Sequence, residues 1–256
     1  MSPLVITALI VAGIVVLFAI GYINHMVENS RLEKARLKAE LNDRMRRSRD
    51  VSDGMPGQLI SPALKLLLSR FEQHYGERLL QLDKKNANLS QRLAELRELV
   101  AKGDAIPVGN PPQQIMTEAK AKDVRHLLEN LHGLITRAAQ SGLLPAAEAK
   151  RWLAELRRML VQLHFEFFIN LGQQSMQQDQ PGQARLAYER GVQYIRKQPD
   201  PESYQSQLKQ LEQLLARANA VVLAKAQPAA ADEPSELTEG LKSLEEDEWK
   251  KKNIYD

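Results

Sequence analysis

The run Pro3–Ile23, PLVITALIVAGIVVLFAIGYI, constrains this chain more than any other stretch. It carries no charged side chain, and only Thr7 and Tyr22 bring a hydroxyl. As a helix it would reach about 31 Å, the depth of a bilayer's hydrocarbon core. Inside lipid every backbone N–H and C=O must be paired within the segment, which selects a helix even for a run this rich in valine and isoleucine. No Lys or Arg precedes the run, and Tyr22-Ile23-Asn24-His25-Met26 offers no small-x-small cleavage site, so it reads as an uncleaved anchor over residues 1–26. Arg31, Lys34, Arg36, Lys38, Arg44, Arg46, Arg47 and Arg49 all follow it. The positive-inside rule then places the N-terminus outside and the rest of the chain in the cytoplasm, with Tyr22 as an interfacial anchor. The expected location is a bacterial inner (cytoplasmic) membrane, crossed once.

Beyond the anchor the composition favours helices. Aromatic residues make up 5% of the chain and cysteine is absent, and the dominant Leu, Ala, Gln, Glu, Lys and Arg are helix formers. Residues 27–50 should continue the anchor helix past the head groups, with Leu37, Leu41 and Met45 on one stripe. Arg44, Arg46, Arg47 and Arg49 beside the membrane are candidates for anionic lipid head groups. With no aromatics interleaved, they make a poor nucleic-acid patch. Gly54, Pro56 and Gly57 punctuate a linker over residues 51–60.

Ser61-Pro62 supplies an N-cap and a first helical residue, and Gly103 a stop, so one helix is expected over residues 61–103. Tyr75, Leu79, Leu82, Asn86, Leu89, Leu93, Leu96 and Val100 follow a 3-4 spacing close to four heptads. An Asn at one a position can fix register and oligomer state. Leu82, Asn86, Leu89, Leu93 and Leu96 are therefore candidates for a homodimer seam within residues 75–100. The alternative is a long helix packed on its own chain. Residues 104–116, with three prolines and a glycine, read as a second linker.

Residues 117–227 show helical periodicity four more times. Val124, Leu127, Leu128, Leu131, Leu134, Ile135 and Ala138 recur after Thr117, up to a stop at Ser141-Gly142. Trp152, Leu153, Leu156, Met159, Leu160, Leu163, Phe167 and Leu171 share a face of a helix that begins at Pro145 and runs to about Gln178. After the turn Asp179-Gln180-Pro181, Ala184, Tyr188 and Ile195 face inward. Pro199-Asp200-Pro201 then starts a last helix, Glu202 to about Ala224, predicted to bury Leu208, Leu211, Leu214, Leu215 and Val222.

Phe168-Ile-Asn-Leu171-Gly172, followed by Ala184, Tyr188 and Gly191, resembles one tetratricopeptide repeat, over about residues 165–199. Ser175 stands where the family has an aromatic, and Pro199 comes three residues late. One repeat cannot bury its faces alone, so its neighbours must cap it. The resemblance implies a concave surface for a peptide or protein, with Glu166, Ile169, Gln173 and Met176 as its candidate contacts. A carboxylate clamp of Lys and Asn is missing there.

The tail, residues 228–256, is Ala-, Pro- and acid-rich and is expected to be disordered. Trp249 and Tyr255 in it are candidate anchors for a partner's groove. Chemistry is hard to find elsewhere: the chain has no cysteine nucleophile, no Gly-x-Ser-x-Gly elbow and no phosphate-cradling loop. Glu129-x-x-His132 lacks the second pair that a di-iron bundle needs. No enzyme, cofactor or metal is expected.

The fold expected from these signals is all-α: one transmembrane helix, a long coiled-coil-like helix, and a tetratricopeptide-like hairpin domain with a disordered tail. Its expected role is a non-catalytic membrane-anchored scaffold for cytoplasmic or membrane proteins. The alternatives are a regulatory subunit of a membrane enzyme complex or, less favoured, a nucleic-acid tether.

Overall fold

The computed structural model describes the backbone of residues 3–226 and the side chains of Phe18 and of residues 21–225; the tail lies outside these. Among the described residues all regular structure is helical. The first helix, α1, runs unbroken over Pro3–Gly54, so the apolar run and the basic stretch after it form one rod, as expected. Among the described residues no helix is long and apolar enough to cross a membrane; nearly all the side chains of the apolar run lie outside them. From Gly21 to Glu40 every residue of α1 is exposed. Among the described residues burial begins at Leu41.

The chain divides into two units between Asn170 and Leu171, inside the stretch 117–227 drawn from the sequence as one domain. In the first unit, the end of α1 packs against α2 (Pro62–Leu82) and α4 (Glu118–Gln140), and α2 packs against α3 (Ala87–Ala101). The core gathers Leu41, Val51 and Met55 with Phe71 and Tyr75 of α2, Leu93 and Leu96 of α3 and Leu128 and Ile135 of α4. Trp152, Leu156 and Leu163 of α5 (Ala146–Gln177) complete it.

The long helix expected over residues 61–103 is two helices. Asp83 takes a non-helical conformation at the end of α2, and Asn86 caps α3 by accepting the Leu89 N–H on its side chain. Of the seam residues, Leu89, Leu93 and Leu96 are therefore buried within the chain, whereas Leu82, at 39%, and the capping Asn86 are exposed. Gly76 permits this folding back, since a Cβ there would lie 2.9 Å from Leu93. The heptad spacing was real, but α2 and α1 occupy the face a second chain would need. Replacing Asn86 by leucine separates the two readings. A seam asparagine gains stability on that change, whereas a helix cap loses about 1 kcal/mol; we expect the loss, measured as a lower urea midpoint.

Both expected linkers are built into the core of this unit. Val51, Ser52, Met55, Leu59 and Ile60 are buried, and so are Ile106 and Ile115. Beyond a short 3-10 turn at Gly103–Ala105 the second linker has no regular structure, as its prolines require. It lies as a strap over the end of α1. Asn110 donates through Nδ2 to the carbonyls of Ser52 at 3.0 Å, Asp53 at 3.3 Å and Met55 at 2.8 Å. The carbonyls of Ser52 and Asp53 belong to the last turn of α1, which has no intrahelical donors for them, and Met55 follows directly. Gly57 lets the strap approach: its N–H donates to Pro111 O at 3.0 Å, and a Cβ there would come within 2.3 Å of Asn110 O. Asn110→Ala should cost about 1 kcal/mol, because partly buried carbonyls lose their donor, and amides of residues 52–57 should exchange faster with solvent.

The α4 start and stop follow the sequence closely. Thr117 accepts the Lys120 N–H as N-cap, and Gly142 takes φ +73, a conformation that favours glycine. The second unit comprises the end of α5 from Leu171, α6 (Pro181–Arg196) and α7 (Gln205–Ala226). Asp179, at φ 58, makes the turn between α5 and α6, and Lys225 at the far end of α7 bonds its carboxylate. Gly172 lies against the ring of Tyr188, and Ala184 and Ile195 are fully buried. The last helix starts later than expected, because Pro201–Tyr204 form a 3-10 turn first. It also buries less: Leu211 is covered, but Leu208, Leu214, Leu215 and Val222 are only half-buried.

Candidate partner-binding surfaces

The arginine run does not present a bare cationic face. Arg46 pairs with Asp50 at 3.6 Å and Arg47 with Asp43 at 2.8 Å, each one turn away on α1. Arg44 pairs with Glu40 and also lies over the ring of Tyr75, 5.7 Å from its centroid. Arg49 reaches α2, where its Nε and Nη2 donate to Glu72 Oε1 at 2.9 and 2.8 Å. From α3, Arg92 donates to both oxygens of the same carboxylate, at 3.0 and 3.1 Å. Glu72 is thus a buried acid held by two arginines from two helices. Exposed pairs of the first kind add little stability, but they neutralise the charge that lipid or nucleic acid would need. In the sequence Glu72 interrupts a heptad pattern, and nothing marks it as a junction until α1 and α3 are brought to α2.

The four residues suggested on the repeat-like helix all lie on α5. Glu166 accepts hydrogen bonds at 3.2 Å from Gln58 Nε2, which also donates to the Gln113 carbonyl at 2.6 Å. It therefore braces the strap and the α1–α2 turn. Ile169 is 8% exposed and unavailable to a partner. This corrects its assignment, because the helical period that put it outside takes no account of the rest of the first unit. Gln173 is exposed and Met176 half-buried, both in the second unit. Trp249 and Tyr255 lie outside the described residues.

A surface that the periodicity did not single out runs between α6 and α7. This groove has a volume of about 430 Å³. Val192 and Leu215 contribute its apolar part, Arg185, Gln193 and Asn219 flank it, and Arg196 meets Glu212 across it at 2.7 Å. The signal was present in the sequence as Leu208, Leu215 and Val222 at seven-residue spacing beside Leu211 and Ala218, an apolar face wider than one neighbouring helix can cover.

Two histidines tie the stability of the first unit to pH. Burial lowers the pKa of His74, helped by Arg78, and burial with Arg125 nearby lowers that of His164. A histidine whose folded pKa lies below its unfolded value binds fewer protons in the folded chain. Its contribution is intact above about pH 6.5 and is lost as pH falls through that value toward the lower folded one. The urea midpoint should therefore drop between pH 7.5 and 5.5, and less steeply in His164→Gln. Among the described residues no three His, Asp or Glu side chains converge as metal ligands would. Comparison of the chain with protein-family models, with curated proteins and with solved structures finds no match in any of the three.

Proposed function

We propose that the chain is a non-catalytic, membrane-anchored adaptor. In this reading residues 3–23 cross the bilayer as the first part of α1, with the bulk of the protein on the basic, cytoplasmic side. The observation that carries it is the character of α1 itself. One unbroken helix joins the apolar run to the core of the first unit, and between them Gly21–Glu40 touch no core. An all-round solvated helix of that kind is a spacer between two bodies, here about 30 Å long. Phe18, Tyr22, Ile23, Met26 and Val27 are exposed at the junction, where a membrane interface accepts aromatic and apolar side chains.

Recruitment falls to the second unit and the tail. The Gly172–Tyr188 contact, with Ala184 buried beside it, supports a tetratricopeptide-like hairpin that presents a surface to protein. The internal pairing of Arg44, Arg46, Arg47 and Arg49 disfavours both the lipid head-group role and the nucleic-acid tether. Two measurements test the reading. The full chain should stay in the pellet when membranes are washed with alkaline carbonate, while a chain lacking residues 3–23 should be released. Affinity capture of the full chain beside one ending at Gln227 then separates recruitment by the tail from recruitment by the helices. Release of the full chain by carbonate would overturn the anchor, and absence of any specific protein with either chain would overturn the adaptor.

A further inference from the structure

We propose that the turn Asp83–Asn86 is a hinge, through which the chain exchanges α3 and all that follows it with a second copy of itself. The product is a domain-swapped dimer in which α2 and α3 run on as one helix. Neither the adaptor role nor a membrane-spanning α1 is needed for it. Leu79, Leu82, Asn86 and Leu89 keep a 3-4-3 spacing straight through the turn. Drawn out as one helix over residues 62–101, the segment would carry Tyr75, Leu79, Leu82, Leu89, Leu93 and Leu96 on a single stripe. A turn that only reversed the chain would have no use for that continuity. In the closed form Leu82 gains nothing from its place on the stripe and stands 39% exposed. In the open form it lies between Leu79 and Asn86 on the face that the second copy covers.

The residues of the turn accept a helix. Asp83, Lys84, Lys85 and Asn86 include no glycine or proline, and none has a positive φ. The Asp83 N–H already donates to Leu79 O at 3.0 Å, which continues the ladder of α2. Two local devices hold the turn closed. Asn86 accepts the Leu89 N–H on its side chain at 3.1 Å and donates its own N–H to Asp83 O at 3.2 Å. Lys38 pairs with Asp83 at 2.6 Å on the surface, a kind of contact that adds little. A continuous helix gives these up and pairs the last carbonyls of α2 with the first N–H groups of α3, which a helix end leaves without intrahelical partners.

The contacts that seat α3 are the same whichever copy supplies it. Leu93 against Gly76, Arg92 on Glu72 and Arg97 on Glu77 at 2.9 Å would all form between chains. Glu72 would then be held by Arg49 of its own chain and by Arg92 of the second copy. The strap and α4 lie beyond the hinge, so they too would cap and cover α1 of the second copy. Exchange of identical elements is a low-cost route to a dimer for this reason. The dimer presents every partner-binding surface twice, which raises avidity for a partner with repeated sites.

The test uses the full chain in detergent micelles and exploits its lack of cysteine. Chains carrying Glu77→Cys alone and chains carrying Arg97→Cys alone are unfolded together in urea, refolded as a mixture and treated with a short bismaleimide. Positions 77 and 97 meet across α2 and α3, so closed monomers cannot join unlike chains, whereas the swapped dimer can. The expected result is cross-linking of unlike chains well above that of like chains, with a yield that rises with protein concentration. Lys84→Gly with Lys85→Gly leaves the turn possible and disfavours a helix through it, and should lower the yield about tenfold. A chain carrying both cysteines should link within itself at high dilution and between chains at high concentration. Links that stay within one chain at every concentration, equal yields for like and unlike chains, or indifference to the two glycines would overturn the proposal.

Discussion

Gly172→Ala is expected to destabilise the second unit by about 3 kcal/mol, the upper part of the usual range for forcing atoms into a packed core. The added methyl would stand 2.2 Å from Cε1, 2.4 Å from Cζ and 2.8 Å from Cδ1 of Tyr188. No side chain tolerates contacts that short, and the obstacle is the face of a rigid ring rather than a flexible tip. Tyr188 is itself only 2% exposed, with Ala184 and Ile195 fully buried on the same helix, so it cannot withdraw without moving α6. The expected readout is a lower thermal midpoint together with loss of amide protection along α6 and α7. Tyr188→Leu supplies the control. With the ring gone the same Gly172→Ala change should cost less than about 1 kcal/mol, because the coupling between the two positions is the clash. If alanine at position 172 were tolerated in the native background, the close approach of α5 and α6 would be wrong.

Glu72→Ala should have an effect of similar size, about 3 kcal/mol, in the first unit. The Glu72 side chain is 3% exposed and takes four hydrogen bonds from Arg49 and Arg92. Removing one partner of a buried pair costs about 3–5 kcal/mol, since the remaining charge loses its counterion where water is scarce. The lower end applies here: both arginines are about a third exposed and can partly rehydrate. Two further variants separate charge from shape. Glu72→Gln keeps the volume and some of the hydrogen bonds, and should recover part of the loss. The triple change Glu72→Leu, Arg49→Met, Arg92→Met should return close to native stability, because a packed apolar cluster can replace a buried ionic one. A chemical-denaturation series over these variants decides it. Native-like stability for Glu72→Ala alone would mean that the clasp contributes nothing to holding α1 and α3 on α2.

Local signals in the sequence were read more reliably than long-range ones. Thr117, Gly142 and Pro181 act within one turn of their own helices, and each sits at the boundary its residue type predicts. The Tyr75–Val100 spacing led further astray. A heptad pattern reports that one face of a helix is apolar, and says nothing about which chain covers it. Here the deciding residues were Asp83 and Asn86, which turn the chain, and Gly76, which makes room for the return. The proline-rich strap shows the same division. Its lack of regular structure follows from composition, whereas the burial of Ile106 and Ile115 depends on α1 offering a free helix end for Asn110 to cap. The α6–α7 groove was legible only as an excess, one leucine face too many on α7.

The uninterrupted course of α1 has a mechanical consequence. A joint between the apolar run and the first unit would let that unit swivel freely, but this helix has no glycine or proline between Gly21 and Gly54 to act as one. From Pro3 to Leu41, the first buried position among the described residues, the rod is about 57 Å long. Tilting its far end by 10° therefore carries Leu41 sideways by about 10 Å, roughly the diameter of a helix. Turning the rod about its own axis would turn Arg49, and through Glu72 the two helices clasped to it. The first unit is thus mounted on a lever, and its bearing follows whatever sets the angle of the opening residues.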